Sequence, residues 1–499
     1  MKNRIFIFLI ILLAVFAAST VSAADNSTDT GDDSLLEVPD KTTLIGQNET
    51  EKAPSEISPS QVTGYDSFET DISAKLTSNG KALPSKNVTV KINGATYKKA
   101  TDTNGAVTFT VKLSKGTYDA VFSFDGDENT NSSAATSKIT VKDAVKTSLK
   151  VGDKDLNYRQ GSKCLFYVKL TDSKGNAIKN QWVTINVGGK TYRVKTNSAG
   201  NAKIYINLKK GTYKIKYSFA KTAPYLASSG SFKIKVRPKM PKGDGYWLWP
   251  MHMKSVNLKS LAKKGTKHLF LHADAVGSYG KASVVSFIKR AHKNGMKVHL
   301  WIQLAYSGGN WVSLVDGHGK LKYSFMNSKI KQAKNFAKIS GVDGIHFDYM
   351  RYGGTAHKHP NAVKSVSYFV KKASVQIHKV RPNCIVSGAL MPEPSAMHYY
   401  YGQDVPTLSK YIDVLLPMVY KGNYHQTRSW IKSVTKTFVK QSNGAQIWTG
   451  LQSYVSDANT RKLSQSVLLK DAKAAKAGGA MGIVLFRIGI SCNFNFKKV

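Results

Sequence analysis

The chain has 499 residues, with 73 Lys and Arg against 31 Asp and Glu and a formal net charge of +42 at pH 7. A chain this long exceeds one ordinary hydrophobic core, which excludes a single small domain and predicts two to four domains. Three scattered cysteines, Cys164, Cys384 and Cys492, exclude a disulfide framework and a Cys-rich zinc cluster.

The first 62 residues predict export followed by a spacer. Residues 1–23 have a basic start, an apolar run and the small-residue site Val21-Ser22-Ala23, the pattern of a signal peptide. An uncleaved membrane anchor is the alternative. Residues 24–62 are rich in Asp, Glu, Ser and Thr and predict a disordered acidic spacer. We therefore expect a secreted, extracellular or cell-surface protein with no transmembrane span after signal cleavage.

The strong positive charge indicates a polyanionic partner. For an exported protein, an acidic cell-wall glycan or anionic lipid is a more accessible partner than nucleic acid, so we expect no nucleic acid. The alternative is that lysine only solubilises the surface. The sequence gives no indication of the oligomeric state.

An internal repeat follows the spacer. The segment VTVKINGATYKKATDTNGAV, from Val88, aligns without a gap on VTINVGGKTYRVKTNSAGNA, from Val183, at a constant offset of 95 residues. Alternating apolar and polar residues and Asn-Gly or Lys-Gly turns predict two all-β immunoglobulin-like sandwiches, residues 63–143 and 144–236. These modules resemble repeats of microbial surface adhesins, including adhesin-like proteins of methanogenic archaea. We expect a stalk, with binding as the second possibility.

A Pro-spaced basic linker, residues 237–242, leads to a different pattern in residues 243–499. Eight short apolar runs there alternate with segments of helical period. The runs are residues 246–250, 268–274, 297–306, 344–350, 384–392, 413–420, 446–454 and 482–489. Eight strand-helix units in about 250 residues predict a (β/α)8 TIM barrel. A doubly wound open sheet is the alternative, but it gives no reason for eight units.

Active sites of such barrels lie where the strands end, and three carboxylates occupy that position: Asp274, Asp348 and Glu393. The other acids precede strands or fall in helix and loop segments, among them Asp457. Strand alternation places His346 and Asp348 on one side. On neighbouring strands, Asp348 and Glu393 would lie roughly 5 to 9 Å apart, as the carboxyl pair of a glycosidase does. The alternative is that both residues only cap a helix or shape a turn.

Other residues of the predicted barrel suit a sugar-binding role. Aromatic rings pack against the C–H faces of sugars, although a barrel core also needs large side chains. Asp348 is predicted to act as nucleophile, base or electrostatic stabiliser and Glu393 as general acid, with His346 supporting the site from beneath. The predicted substrate-binding residues are Trp249, Asp274, Gln303, His346, Arg351, Tyr352, Tyr420 and Trp448.

The stretch DGIHFDYMRY, residues 343–352, with KVHLWIQ, residues 297–303, resembles the glycosyl-hydrolase-like TIM barrels, especially the glycosyl-hydrolase-like 10 group. The resemblance implies that Asp348 is the family's strand-four carboxylate and that Glu393 matches the strand-five acid of amylase-like barrels. Chitinases need a glutamate where this chain has Met350, which argues against a substrate-assisted chitinase mechanism.

The sequence thus predicts a secreted glycoside hydrolase acting on a cell-surface or wall polysaccharide, with no cofactor and no metal. A non-catalytic adhesin or carbohydrate-binding protein with a degenerate barrel is the alternative. A metal-dependent amidohydrolase would use strand histidines such as His272, His299 and His346, but the usual His-x-His pair is absent from strand one. A thiol peptidase is disfavoured because Cys384 begins its strand, on the wrong face of the barrel.

Overall fold

The computed structural model describes residues 51–499. The predicted signal peptide and most of the predicted spacer lie outside these residues. Within the described part, no helix is both long and apolar enough to cross a membrane.

The first β-sandwich begins earlier than predicted. Residues 55–59 form a strand that pairs antiparallel with Glu69–Ser78, and Ile57 is buried in the core of the sandwich. The prediction that the spacer extends to residue 62 was therefore wrong at its end. The strand was missed because SEISP has one core residue, Ile57, and that residue is buried only by strands that come later in the chain.

The first sandwich has two sheets, ordered β1-β3-β4, with β7 also pairing to β3, and β2-β9-β8-β5-β6. Its strands are β1 (Ser55–Pro59), β2 (Val62–Tyr65), β3 (Glu69–Ser78), β4 (Lys81–Ala82), β5 (Asn87–Ile92), β6 (Ala95–Ala100), β7 (Ala106–Lys112), β8 (Gly116–Phe124) and β9 (Ser133–Lys142). Alternate residues of these strands, such as Val88, Val90 and Ile92, fill the core.

The second sandwich repeats this plan, with sheets β10-β11-β14 and β13-β12-β15-β16. Its strands are β10 (Thr147–Val151), β11 (Cys164–Asp172), β12 (Trp182–Val187), β13 (Lys190–Lys195), β14 (Asn201–Ile206), β15 (Gly211–Phe219) and β16 (Ser228–Val236). The predicted pair of all-β sandwiches is confirmed.

The shared turn of the two copies has a specific cause. Gly105 and Gly200 have φ of +73° and +74°, and their carbonyls accept hydrogen bonds of 2.8 Å from the amides of Leu76 and Leu170. A Cβ at either glycine would lie 2.5 Å from the carbonyl oxygen of that leucine. Both copies of the repeat therefore have glycine at the position where the turn backbone packs directly against the backbone of the neighbouring strand.

The C-terminal part is a closed barrel of eight parallel strands, which confirms the predicted TIM barrel and rules out the open sheet. All eight predicted apolar runs correspond to these strands. They are β17 (Gly245–Leu248), β18 (His268–His272), β19 (Lys297–Gln303), β22 (Gly344–Asp348), β23 (Ile385–Leu390), β24 (Val414–Val419), β25 (Gln446–Gln452) and β28 (Gly482–Phe486). Two loop hairpins, β20–β21 (Tyr306–Ser307 and Asn310–Trp311) and β26–β27 (Tyr454–Ser456 and Asn459–Lys462), follow the third and seventh barrel strands.

Helices surround the barrel, and their apolar faces pack against the strands. They are α1 (Leu258–Lys263), α2 (Ala275–Lys293), α3 (Tyr323–Ala337), α4 (Ala362–Val380), α5 (Val405–Leu408), α6 (Arg428–Gln441) and α7 (Gln465–Ala477). A ring contact between Phe347 of β22 and Phe369 of α4, with centroids 5.1 Å apart, is one example.

The second sandwich is joined to the bottom of the barrel by buried charges. Asp413, which precedes β24, accepts hydrogen bonds from Arg159 Nε at 2.9 Å and from Arg237 Nη2 at 2.7 Å. The predicted linker, residues 237–242, is therefore anchored at its first residue. Asp413 therefore has a structural role on this face of the barrel.

Candidate active site

Strand β22 presents the central carboxylate of the barrel mouth. His346 and Asp348 face the barrel interior, whereas Phe347 points outward to the helices, as strand alternation predicts. Continued alternation would point Tyr349 outward as well, but this residue has φ of +48° and its side chain lines the mouth. The alternation fails there because the strand ends at Asp348 in a left-handed turn.

Asp348 is held by two donors. Its Oδ2 accepts from the indole Nε1 of Trp301 at 3.1 Å, and its Oδ1 accepts from the backbone amide of Tyr349 at 2.7 Å. Burial raises the pKa of this carboxyl, and the two donors and the nearby Arg351 oppose the shift only in part. The carboxyl of Asp348 therefore holds its proton to a higher pH than an exposed aspartate does.

A cavity of about 300 Å³ opens beside Asp348 at the C-terminal face of the barrel. It is lined by Trp247, Asp348, Tyr349, Arg351, Ala389, Met391, Pro392, Met418, Tyr420, Asn423, Tyr424, Tyr454, Asp457 and Phe486. The volume and the mixture of aromatic, apolar and charged side chains are typical of a small-ligand site.

Asp457 is the second carboxylate of this cavity, and the sequence analysis did not select it. It is exposed, and its two oxygens accept hydrogen bonds from the Tyr454 hydroxyl and from Asn423 Nδ2, the latter at 2.8 Å. The hairpin β26–β27 carries it back over the barrel mouth. Its place in the loop after strand seven was a usable signal, since such loops build TIM-barrel sites.

Glu393 lies beside the cavity but does not line it. Its Oε1 accepts from the hydroxyls of Tyr401 at 3.0 Å and Tyr424 at 2.9 Å, and its Oε2 is buried without a hydrogen-bond partner among residues 51–499. Tyr424 itself lines the cavity. The chain turns at Pro392, and the two tyrosines enclose Glu393 behind the cavity wall. Its predicted role as general acid stays a prediction.

Arg351 and Tyr420, both predicted to bind sugar, do line the cavity. The Arg351 guanidinium lies over the ring of Trp311, 4.6 Å from its centroid, and Nη1 donates to the Tyr352 carbonyl at 3.2 Å. Its Nε is buried with no hydrogen-bond partner among the described residues, and none of their carboxylates pairs with it. Tyr420 stacks on Phe486 with centroids 5.7 Å apart.

Two further predicted binding residues, Tyr352 and Trp448, are buried away from the cavity. Tyr352 is 3% exposed, and its hydroxyl lies 3.0 Å from Ser365 Oγ. Trp448 is fully buried in the barrel interior against His268, with centroids 4.6 Å apart. Neither lines the cavity, because the first faces a helix and the second lies toward the bottom of its strand.

Trp249, Gln303 and Asp274 lie near the mouth without lining the cavity. The Trp249 ring packs against Trp301, with centroids 5.0 Å apart, and so buttresses the donor to Asp348. Gln303 pairs in register with Asp348 on the adjacent strand. The Asp274 side chain is 78% exposed and contacts His272 Nδ1 at 3.3 Å.

The barrel interior contains histidines that are packed and hydrogen-bonded. His268 Nδ1 lies 2.8 Å from His299 Nε2, and His346 Nδ1 lies 2.9 Å from Ser387 Oγ, beneath Asp348. Among residues 51–499 no group of three His, Cys, Asp or Glu is arranged to hold a metal ion. Burial raises the pKa of the Cys384 thiol to about 12, which makes it a poor nucleophile.

Comparison with known proteins supports the chemical class. The model of a family described as "Putative glycosyl hydrolase domain" matches residues 281–445, about a third of the chain and most of the barrel. The predicted resemblance to glycosyl-hydrolase-like barrels is thereby confirmed. This domain type implies a carbohydrate substrate. No curated protein sequence matches the chain significantly.

Solved structures resemble parts of the chain at low identity and low TM-score. The PgaB (BpsB) glycoside hydrolase domain of Bordetella bronchiseptica is 11% identical, with a TM-score of 0.40, 50% of this chain covered and 95% of that chain covered. The spore cortex-lytic enzyme SleL of Bacillus megaterium is 12% identical, with a TM-score of 0.37 and coverages of 52% and 74%. Fibronectin(III)-like modules of Clostridium thermocellum CbhA are 16% identical, with a TM-score of 0.25 and coverages of 37% and 95%. None of these likenesses informs the chemistry of this chain.

Proposed function

We propose that the barrel hydrolyses a glycosidic bond of an acidic surface or wall polysaccharide, with Asp348 and Asp457 as the working carboxylates. The observation that carries the proposal is their contrast within one cavity: Asp348 is partly buried with a raised pKa, whereas Asp457 is exposed. Paired carboxyl groups in unlike environments divide the roles of acid and base.

In the proposed reaction, protonated Asp348 gives its proton to the leaving glycosidic oxygen as the bond to the anomeric carbon breaks. Water supplies the hydroxyl that bonds to that carbon, and Asp457 accepts the remaining proton. The predicted roles thus change: Asp348 becomes the acid, and Glu393 becomes a positioning residue that orients Tyr424 at the cavity wall.

An acidic sugar is favoured by Arg351. Its guanidinium is mostly buried at the cavity, is stacked on Trp311, and has an Nε without a protein partner in the described part of the chain. Guanidinium forks recognise carboxylates through paired hydrogen bonds. A uronate carboxylate would supply the missing acceptor.

The decisive experiment measures reducing-sugar release from acidic and neutral wall glycans by the wild type and single variants. We expect Asp348→Asn and Asp457→Asn each to lose about 100-fold or more of kcat, and Glu393→Gln to lose less. Asp316→Asn, which changes a turn carboxylate outside the cavity, is the matched control and should retain activity.

Two outcomes would contradict this assignment. If Glu393→Gln abolished cleavage while Asp457→Asn did not, the pair predicted from the sequence would be correct instead. If wild type bound glycan without cleaving it, the barrel would be a carbohydrate-binding module, as in an adhesin.

We also propose that the protein is secreted and stays at the cell surface, with a polysaccharide rather than nucleic acid as its partner. The signal-peptide pattern of residues 1–23 and the net charge of +42 support this location. N-terminal sequencing of protein recovered from the medium or wall should give a start near Ala24. An intact Met1 on membrane-bound protein would instead indicate an uncleaved anchor.

A further inference from the structure

The second sandwich has a strongly basic outer face on the sheet β13-β12-β15-β16. Cross-strand partners in this sheet point the same way, and alternate residues of β13, β15 and β16 are exposed, whereas those of β12 after Trp182 are half-buried. Six cations occupy this face without an acidic side chain between them: Arg193, Lys195, Lys214, Lys216, Lys233 and Lys235. Among the described residues, none of the six forms a salt bridge.

The first sandwich provides an internal comparison, because the offset of 95 residues identifies the equivalent positions. Asp119 pairs across strands with Lys138, and their charged groups are 3.1 Å apart. In the second sandwich the same pair is Lys214 opposite Lys233. Like charges directly opposite each other on a sheet destabilise it, so this face carries a repulsion that the first copy avoids.

The difference extends over the whole module. Residues 63–143 contain 10 Lys and Arg against 9 Asp and Glu, whereas residues 144–236 contain 19 against 3. General solubilisation of an exported surface would charge both copies alike. The concentration of cations in one of two homologous sandwiches indicates a function of that copy.

An exposed tryptophan lies at the edge of the basic face. Trp182 is 46% exposed, with Arg193 Cζ 4.8 Å and Lys195 Nζ 5.1 Å from its ring centroid. The first sandwich has Asn87 and Ala100 at the positions of Trp182 and Lys195. An exposed aromatic ring beside cations suits a ligand that has both apolar faces and negative charge.

We propose that this face, which carries Trp182 at one edge and Lys214 further along the strands, binds a linear acidic polysaccharide and holds it beside the barrel. The Trp182 ring would cover the C–H face of one sugar, and the lysine rows would meet carboxylates of successive sugars. The binding is separate from the barrel cavity. This proposal rests on the proposed function in one respect, which is the choice of a glycan rather than another polyanion as the ligand.

The test replaces the face by the residues of the first sandwich. The triple variant Trp182→Asn, Lys195→Ala and Lys214→Asp restores the Asp–Lys cross-strand pair, so we expect its thermal stability to match or exceed that of the wild type. The matched control is Lys174→Asp, which makes the same change of charge as Lys214→Asp but at an exposed turn away from the face. All variants are made in the full-length chain carrying Asp348→Asn, so that cleavage cannot alter the ligand.

Calorimetric binding of polygalacturonate at physiological salt is the readout. Loss of about 1.4 kcal/mol from the aromatic and charge contacts would weaken binding about tenfold in the triple variant, while Lys174→Asp stays near wild type. Equal weakening by both would show a diffuse charge effect and overturn the site. Unchanged binding by the triple variant would do the same.

Specificity is tested with a neutral glucan, single-stranded DNA and phosphatidylserine vesicles. We expect none of them to show the tenfold difference between wild type and the triple variant; an equal difference with DNA or vesicles would overturn the assignment to a glycan. The triple variant is also made in the chain that keeps Asp348. There it should cleave a short soluble substrate at the same rate as the wild type. If neither the wild type nor any variant hydrolysed a glycan, the proposed function would be wrong, but the binding result would remain valid.

Discussion

At the scale of single residues, Asp348 is balanced between opposing influences. Burial favours its neutral form, whereas the Trp301 indole, the Tyr349 amide and the Arg351 charge favour its ionised form. Its pKa is raised because burial prevails. If Asp348 is the general acid, activity depends on its proton and falls as pH rises through this raised pKa.

Replacing Trp301 by Phe should therefore move the alkaline limb of the kcat/KM profile to higher pH. The variant removes the 3.1 Å hydrogen bond that stabilises the carboxylate, so the carboxyl holds its proton longer. A pH series on an acidic glycan measures the shift, and thermal unfolding checks that the barrel is intact. An unmoved limb would show that another group provides the proton.

Arg351 allows a second prediction at this scale. Arg351→Gln should raise KM for a uronate-containing glycan by about tenfold or more, because a charge-assisted bidentate contact contributes about 1.5–3 kcal/mol. KM for a neutral glycan of the same linkage should change little. Equal losses on both substrates would mean that Arg351 only supports the loop through Tyr352.

These residues also show what could be predicted from the sequence. Strand position was enough to place Asp348 at the barrel mouth, because an inward residue at a strand end has one possible place in a barrel; its catalytic role stays a prediction. Asp457 and Glu393 depend on loop paths. A hairpin brings Asp457 to the cavity, and two tyrosines that are distant in sequence enclose Glu393, so neither outcome follows from strand position.

At the scale of elements, three neighbouring barrel strands carry buried histidines. Burial lowers the pKa of His268 and of His346 to about 3, and that of His299 well below its usual value. The unfolded chain binds protons on these residues below about pH 6.5, and the folded chain does not. Their contribution to stability is therefore full above pH 6.5 and declines as pH falls towards 3.

Each such histidine should reduce the free energy of unfolding by about 1.4 kcal/mol per pH unit in the lower part of this window. Asp348 acts in the opposite direction, since its raised pKa makes the folded state bind a proton first. Urea unfolding between pH 6 and 4.5 should show a clear decline for wild type and a shallower one for His346→Asn. His318→Asn, at an exposed loop, should follow the wild-type slope; an identical slope for His346→Asn would contradict the mechanism.

The elements themselves were well predicted because their hydrophobic period is local. Each barrel strand is a short apolar run bounded by Gly, Pro or charge, and each sandwich strand alternates. The strand Ser55–Pro59 was missed because one core residue, Ile57, makes no periodic pattern by itself. Its burial depends on pairing with the later strand Glu69–Ser78. The left-handed turn at Tyr349 leaves no pattern in the sequence either.

At the scale of the whole molecule, the second sandwich and the barrel form a continuous packed unit. Arg159 and Arg237 from the sandwich side reach Asp413 at the barrel bottom, and the three side chains are 6%, 7% and 0% exposed. Charges nearby hold the Asp413 pKa well below its usual range despite burial. The basic sheet is thus held in a fixed relation to the barrel mouth, which a flexible linker would not provide.

Asp413→Ala should cost about 3–5 kcal/mol of unfolding free energy, because two buried guanidinium groups lose their shared partner. Asp119→Ala removes an exposed ion pair with Lys138, whose side chains are 58% and 72% exposed, so it should cost less than about 1 kcal/mol. Chemical denaturation measures both losses. If the buried cluster holds the sandwich to the barrel, Asp413→Ala should also speed tryptic cleavage at Lys239 and Lys242 under native conditions, where Asp119→Ala does not. Equal costs and equal cleavage rates in the two variants would show that packing alone joins the domains, and the fixed geometry between the basic sheet and the barrel mouth would lose its physical basis.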